Sequence, residues 1–271
     1  MDSASLKWTE VVACATLAIL WMPRMFSRAQ GALQIDAGAA FLRGPVHGRL
    51  QTPSGGEPGT TSSGRPSLGE LGIDDADVGD FRADLAYGRH GLYFGGRIMH
   101  LSGRSMLDRL LISQGVTFPA GSPVDADVQF DWYRLGYRYV PSGDRAIYLY
   151  PSIGATLLGL HYALSSPGLE KVDRSYSKAG AQVGLDMTWP FTEDLSLSGQ
   201  VLLPIPVAKW PQILSTQLAV KYRFFKRDTV SVSGLLGVDY DWIYYKDSQS
   251  VSNDLRANVG PMGLVGLDVR F

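Results

Sequence analysis

From Asp254 to Phe271 every second residue is apolar or small: Leu255, Ala257, Val259, Pro261, Gly263, Val265, Leu267, Val269 and Phe271. The other register reads Asp254, Arg256, Asn258, Gly260, Met262, Leu264, Gly266, Asp268 and Arg270. Successive side chains of an extended chain point to opposite sides, so a period of two marks a β-strand with unlike media on its faces. At about 18 residues the stretch is longer than the roughly 3–10 residues of most globular strands.

The same alternation recurs along the chain, while no long segment carries the helical period. Candidate strands fall at 32–51, 79–89, 91–103, 124–140, 145–163, 176–190, 195–207, 212–225, 229–246 and 254–271. The sixth sets Ala179, Ala181, Val183, Leu185, Met187 and Trp189 against Lys178, Gly180, Gln182, Gly184, Asp186 and Thr188. The ninth sets Val230, Val232, Gly234, Leu236, Val238, Tyr240 and Trp242 against a face that includes Asp239 and Asp241. The expectation is an all-β chain of ten antiparallel strands, with eight as the alternative if 91–103 or 195–207 is irregular. The 31 glycines and the low charged fraction of 19 % suit closely packed strands joined by many turns. Balanced charge, 25 basic against 26 acidic residues, argues against a nucleic-acid partner.

Short connections alternate with long ones. Arg89–Gly91, Pro141–Asp144, Phe191–Asp194 and Phe225–Asp228 are turn-like, whereas 52–78, 104–123, 164–175 and 247–253 are longer. One end of the sheet is therefore trimmed and the other elaborated, as in a transmembrane barrel. Aromatic residues gather toward strand ends, as an interfacial girdle requires. The strands are also longer than the roughly 9–11 residues that cross a bilayer when tilted. Because lipid offers no partner for free backbone groups, such a sheet must close on itself. A closed up-and-down transmembrane barrel over 32–271 is the reading these features favour over a soluble barrel or sandwich.

Residues 1–31 read as a signal peptide, with Lys7 ahead of an apolar run from Val11 to Met22 and cleavage after Ala29 or Gly31. The single cysteine, Cys14, lies in that run. The mature chain then has no disulfide and no thiolate metal site.

The terminal LVGLDVRF, with Leu267, Val269 and Phe271 on one face, resembles the β-signal of Gram-negative outer-membrane proteins. With the signal peptide, the chain is similar to the small outer-membrane β-barrel proteins as a class. That resemblance implies an outer-membrane location, insertion by the barrel assembly machinery, an even strand number and periplasmic termini. Outer-membrane lipids and lipopolysaccharide are the implied surroundings. No cofactor is called for.

The polar faces carry both signs at Asp36, Arg82, Asp84, Arg97, Arg134, Arg138, Lys178, Asp186, Lys221, Arg223, Asp239, Asp241, Arg256, Asp268 and Arg270. In a barrel of about ten strands these groups face a narrow lumen. They are expected to pair across it as a salt-bridged core. No catalytic constellation stands out. His161, near Ser165 and Ser166, could activate a hydroxyl, and Asp239 with Asp241 could serve acid–base chemistry; both have the plainer reading of structural polar groups. Asp74, Asp75 and Asp77 could hold a divalent cation but read more simply as a solvated run. The expectation is a structural or interaction barrel acting through loops 52–78 and 104–123. The alternatives are a narrow channel for small solutes, or a hydrolase using Asp239, Asp241 or His161.

Overall fold

A computed structural model describes residues 33–50, 65–140, 146–247 and 253–271; the expected signal peptide and residues 52–64 of the first long loop lie outside them. Twelve strands follow one another: β1 Leu33–Leu50, β2 Asp75–Tyr87, β3 His90–Met106, β4 Leu111–Ser113, β5 Val116–Phe118, β6 Pro123–Tyr139, β7 Tyr148–Ser165, β8 Val172–Pro190, β9 Leu195–Pro204, β10 Gln212–Arg227, β11 Val230–Lys246 and β12 Asp254–Arg270. Ten of them close a barrel in chain order, sealed by antiparallel pairing of β1 with β12. The last residue lengthens that seam, where the Phe271 amide donates to the Ile35 carbonyl at 2.8 Å. The expected closed barrel is therefore present with ten strands. The segments 91–103 and 195–207, which left eight open, are regular members of it. The β4–β5 hairpin, inside the expected loop 104–123, is an addition.

Both described termini lie at one end of the barrel, the terminus end; the long connections lie at the other, the loop end. The polarity of the wall changes between them. On β6 the terminus half turns Tyr133, Leu135, Tyr137 and Tyr139 outward and Arg134 and Arg138 inward. In the loop half of the same strand Asp125, Asp127, Gln129 and Asp131 face outward, and Val124, Ala126, Val128, Phe130 and Trp132 are buried inside. On β1 the apolar outward run Leu33, Ile35, Ala37, Ala39, Phe41 gives way to the inward Leu42, Val46 and Leu50. A continuous row of cross-strand partners, Arg43, Asp77, His100, Gln129, His161 and Ser175, runs along the polar side of the change. The terminus half is thus built like a membrane barrel and the loop half like a soluble one, with a packed apolar interior.

The closing strand corrects one expectation. Val265, Leu267 and Phe271 do face outward, each about half exposed, but Leu255, Ala257 and Val259 are buried inside. Asp239 and Asp241 on β11 pair with Met262 and Val259, so β12 holds one residue more than its neighbour there. Such a bulge turns the strand over by one position. Gly260 sits in it with φ +117°, a conformation that favours glycine. The same apolar register therefore meets the exterior below the bulge and the core above it.

The loop end is capped from within. Leu68, Leu71 and Ile73, around the short 3-10 turn Gly69–Leu71, are fully buried, as are Leu111 and Phe118 of the hairpin. Ser67 and Glu70 form a reciprocal cap: the Ser67 amide donates to Glu70 Oε2 at 2.6 Å and the Glu70 amide donates to Ser67 Oγ at 3.1 Å. Arg109, from the second loop, donates to Glu70 Oε1 at 3.0 Å and to the Arg65 carbonyl at 2.8 Å, tying the two loops together. The Glu70 carboxyl is held below its usual range, first by that Arg109 bond and then by the Ser67 amide.

Candidate functional site

The inward charges form two tiers, set by strand position. Midway along the lumen Arg97 on β3 is almost wholly buried among three carboxylates. Its Nε donates to Asp80 at 2.6 Å, its Nη2 to Asp239 at 2.7 Å and its Nη1 to Asp241 at 2.5 Å. Arg134 lies 3.4 Å from Asp80 and donates to Gln200 at 3.2 Å, and Gln217 donates to Asp239 at 3.1 Å. The guanidinium of Arg134 stands 4.8 Å above the Trp132 ring, and that of Arg97 at 5.6 Å. Side chains on three sides of the barrel are thus clasped together. Directly beyond Arg97 and Trp132 toward the loop end come Met99, Leu101, Val128, Phe130, Leu158 and Ile243, which pack the interior.

On the terminus side of this clasp the lumen opens into a vestibule of about 510 Å³. Arg82 and Lys221 share Asp268 at 2.6 and 2.5 Å, and Arg138 bridges Asp84 and Asp186 at 2.8 and 3.1 Å. Arg270 reaches Asp36 at 2.7 Å and Arg223 reaches Asp194 at 2.8 Å. Each of the vestibule's five lumen cations therefore has a carboxylate. Gly38 lies against the Asp268 pair, where an added Cβ would fall 2.3 Å from Asp268 Oδ1; the ion pair needs the bare backbone.

The expected lumen residues are distributed as follows. Arg97, Arg134, Asp239 and Asp241 meet in the clasp. Asp36, Arg82, Asp84, Arg138, Asp186, Lys221, Arg223, Asp268 and Arg270 line the vestibule. Lys178 faces inward among the loop-end core, its Nζ 5.8 Å from the Tyr245 ring. Arg256 is not a lumen residue. It lies on the outer wall, 5.1 Å over the Tyr244 ring, because the bulge reverses the strand's facing. Asp80, Gln200 and Gln217 are members that sequence reasoning missed; Asp80 is in phase with Arg82 and Asp84 and was findable on that ground.

The candidate hydrolase groups are not brought together. His161 is on the outer wall with Nε2 3.0 Å from Asp173 Oδ1, whereas Asp239 and Asp241 are inside, engaged by Arg97. Asp75 and Asp77 stand on the outer face of β2, each 3.7 Å from Arg43.

No family model matches the sequence, and no curated protein matches it significantly. Several solved structures are similar in fold. The attachment invasion locus protein Ail of Yersinia pestis, in complex with the heparin analogue sucrose octasulfate, is 9 % identical; the match covers 90 % of this chain and 100 % of that one, with a TM-score of 0.38. The outer-membrane protease OmpT of Escherichia coli is 10 % identical over 87 % of this chain and 97 % of its own, with a TM-score of 0.44. Neisserial surface protein A is 11 % identical over 90 % and 100 %, with a TM-score of 0.35. What these neighbours share with this chain is the antiparallel barrel.

Proposed function

We propose that this protein is an integral barrel of the Gram-negative outer membrane that does not conduct solutes and acts through the surfaces it presents beyond the membrane. The observation that carries this reading is the change of wall polarity along the strands. Apolar outward runs of about nine residues, such as Leu33–Phe41 on β1 and Leu149–Leu157 on β7, span roughly 30 Å along a strand. Tilted by about 40°, that matches an apolar band about 25 Å tall. The remaining length of β2, β3, β6, β7 and β8 carries Asp, His, Gln and Ser outward and stands in water, whereas β11 keeps Tyr240, Trp242 and Tyr244 outward. Periplasmic termini follow from placing the short turns inside. Leu267, Val269 and Phe271 then lie at the periplasmic rim, where the barrel assembly machinery would read them. Outer-leaflet lipids, lipopolysaccharide among them, would surround the band.

Passage through the lumen would require displacing three barriers in series: the loop cap, the apolar core and the Arg97 clasp. The protruding wall and the cap are left as the working surface, on which β2, β6 and β8 present Asp75, Asp77, Asp125, Asp127 and Asp173. Two measurements test the reading. Reconstituted protein should give no conductance steps in planar bilayers. The mature chain, free of cysteine, also allows single cysteines to report depth. Asp127→Cys should react with a membrane-impermeant maleimide on intact cells and Leu135→Cys should not. Stepwise conductance, or a protected Asp127→Cys, would overturn the proposal.

A further inference from the structure

The outer wall above the apolar band differs from one side of the barrel to the other. The outward loop-half positions of β10, β11 and β12 include Gln212, Leu214, Tyr240, Trp242, Tyr244, Lys246, Arg256 and Asn258, and their one acidic residue, Asp254, is taken up by Arg65 at 2.7 Å and Lys246 at 4.0 Å. Here Arg49 on β1 stands in direct register with Arg256, which in turn faces Tyr244. Like charges directly opposed across a strand pair repel one another. Among the described residues no carboxylate pairs with either arginine. Arg256 is nevertheless held in place by Tyr244, and Tyr244 is stacked on Trp242 with ring centroids 5.9 Å apart and planes at 19°. Two guanidinium groups, one of them held over an aromatic ring and neither paired with a carboxylate among the described residues, form a site that favours an anion.

A second feature lies beneath it. A groove of about 380 Å³ crosses the apolar band over β7 to β12, floored by Leu185, Met187, Gly199, Val201, Leu218 and Val238. Its floor is two adjacent rows of cross-strand partners, Met187–Gly199–Leu218–Val238 and Leu185–Val201–Thr216–Tyr240. Gly199 makes the depression, because it sets no side chain between Met187 and Leu218. The groove ends at Tyr240 and Pro261, and Arg256 lies on the same wall about 13 Å farther along the strand. That spacing separates a lipid phosphate from the body of its acyl chain.

We propose that this wall holds a phosphorylated lipid of the outer leaflet, its phosphate between Arg49 and Arg256 and an acyl chain in the groove under Tyr240. Trp242 lies between the two and Tyr244 level with Arg256, in the interfacial zone where aromatic side chains are favoured. The inference rests on the outer-membrane reading above and deepens it by naming a lipid class and a site.

The test uses the full chain folded in uncharged detergent, with retained lipid counted by native mass spectrometry. The probes are phosphatidylglycerol, diacylglycerol with the same chains, and inorganic phosphate. Phosphatidylglycerol should be retained in preference to diacylglycerol. The double substitution Arg49→Gln with Arg256→Gln should weaken retention by about 10–30-fold, the effect of two interfacial cations. Arg104→Gln, two strands from β1 on β3 and in a pair with Asp125, should leave it unchanged. Gly199→Leu, which fills the groove, should weaken phosphatidylglycerol while heat-modifiable gel mobility shows an intact barrel. Equal retention by wild type and the double variant would overturn the proposal, as would displacement of the lipid by inorganic phosphate alone. Failure of the wild type to insert into liposomes would instead overturn the membrane reading; insertion with unaltered lipid retention by the double variant removes only this site.

Discussion

At the centre of the lumen one guanidinium does the work of several. Arg97 directs three nitrogens at Asp80, Asp239 and Asp241 and so ties β2, β3 and β11 across the bore. A buried charge stripped of its partner is costly, so Arg97→Met, which leaves the carboxylates facing one another, should destabilise the barrel by about 3–5 kcal/mol. Denaturant unfolding in detergent, followed by the fluorescence of Trp132 beneath the clasp, measures this. Adding Asp239→Asn and Asp241→Asn to that variant should recover part of the loss. An unchanged midpoint for Arg97→Met would show that the clasp is held by its surroundings alone. Membership of the lumen is mostly legible from strand parity, as for Arg82, Asp84, Arg134 and Arg138. Arg256 is the exception, because parity gives a face only while the strand keeps its register.

At the scale of elements the cap and the closing strand behave differently. The cap depends on a single ionised carboxylate, Glu70, shared between Ser67 and Arg109. Its pKa in the folded chain lies below its usual value, so the stabilisation is complete above about pH 4.5 and is lost as pH falls through the lowered folded value. Hydrogen-exchange protection of residues 68–73 should therefore be constant from neutral pH down to that point and decline below it. Glu70→Gln should flatten the acid decline; a decline that persists in this variant would assign it to another group. In β12 the apolar register runs unbroken from Leu255 to Phe271 while the bulge at Gly260 turns the strand over. That turn is not legible from hydrophobicity, which stays in phase. Elsewhere the change of facing does leave a trace. Strands without a bulge there show two apolar residues in succession where the phase slips: Ile98–Met99, Trp132–Tyr133 and Leu157–Leu158. The ten-strand barrel is legible because every strand alternates. The inverted loop half is missed when alternation is counted without following which parity is apolar.

For the molecule as a whole, the division into a lipid-facing half and a water-facing half sets where charge is tolerated. Among the described residues Leu236 on β11 is the most exposed large apolar side chain, and Leu236→Arg should reduce folding stability in phosphatidylcholine vesicles by about 2–4 kcal/mol, as for a cation near the midplane. Ser102→Arg, outward on the water-facing part of β3, should change it by less than about 0.5 kcal/mol. Equal losses would mean that the band is misplaced.

The apolar interior of the loop half also gives the molecule a mechanical asymmetry. A membrane barrel with a hydrated bore is held in the bilayer by its outer band alone, and in principle it could slide back the way it came. This one is fastened as a rivet is. Its loop end is filled by side chains such as Leu42, Phe130, Leu158 and Val259, each buried at a gain of about 1.5–3 kcal/mol. Pulling the barrel back toward the terminus side would first require emptying that head. In the orientation proposed above, the packing that closes the bore would therefore also hold the inserted barrel against withdrawal.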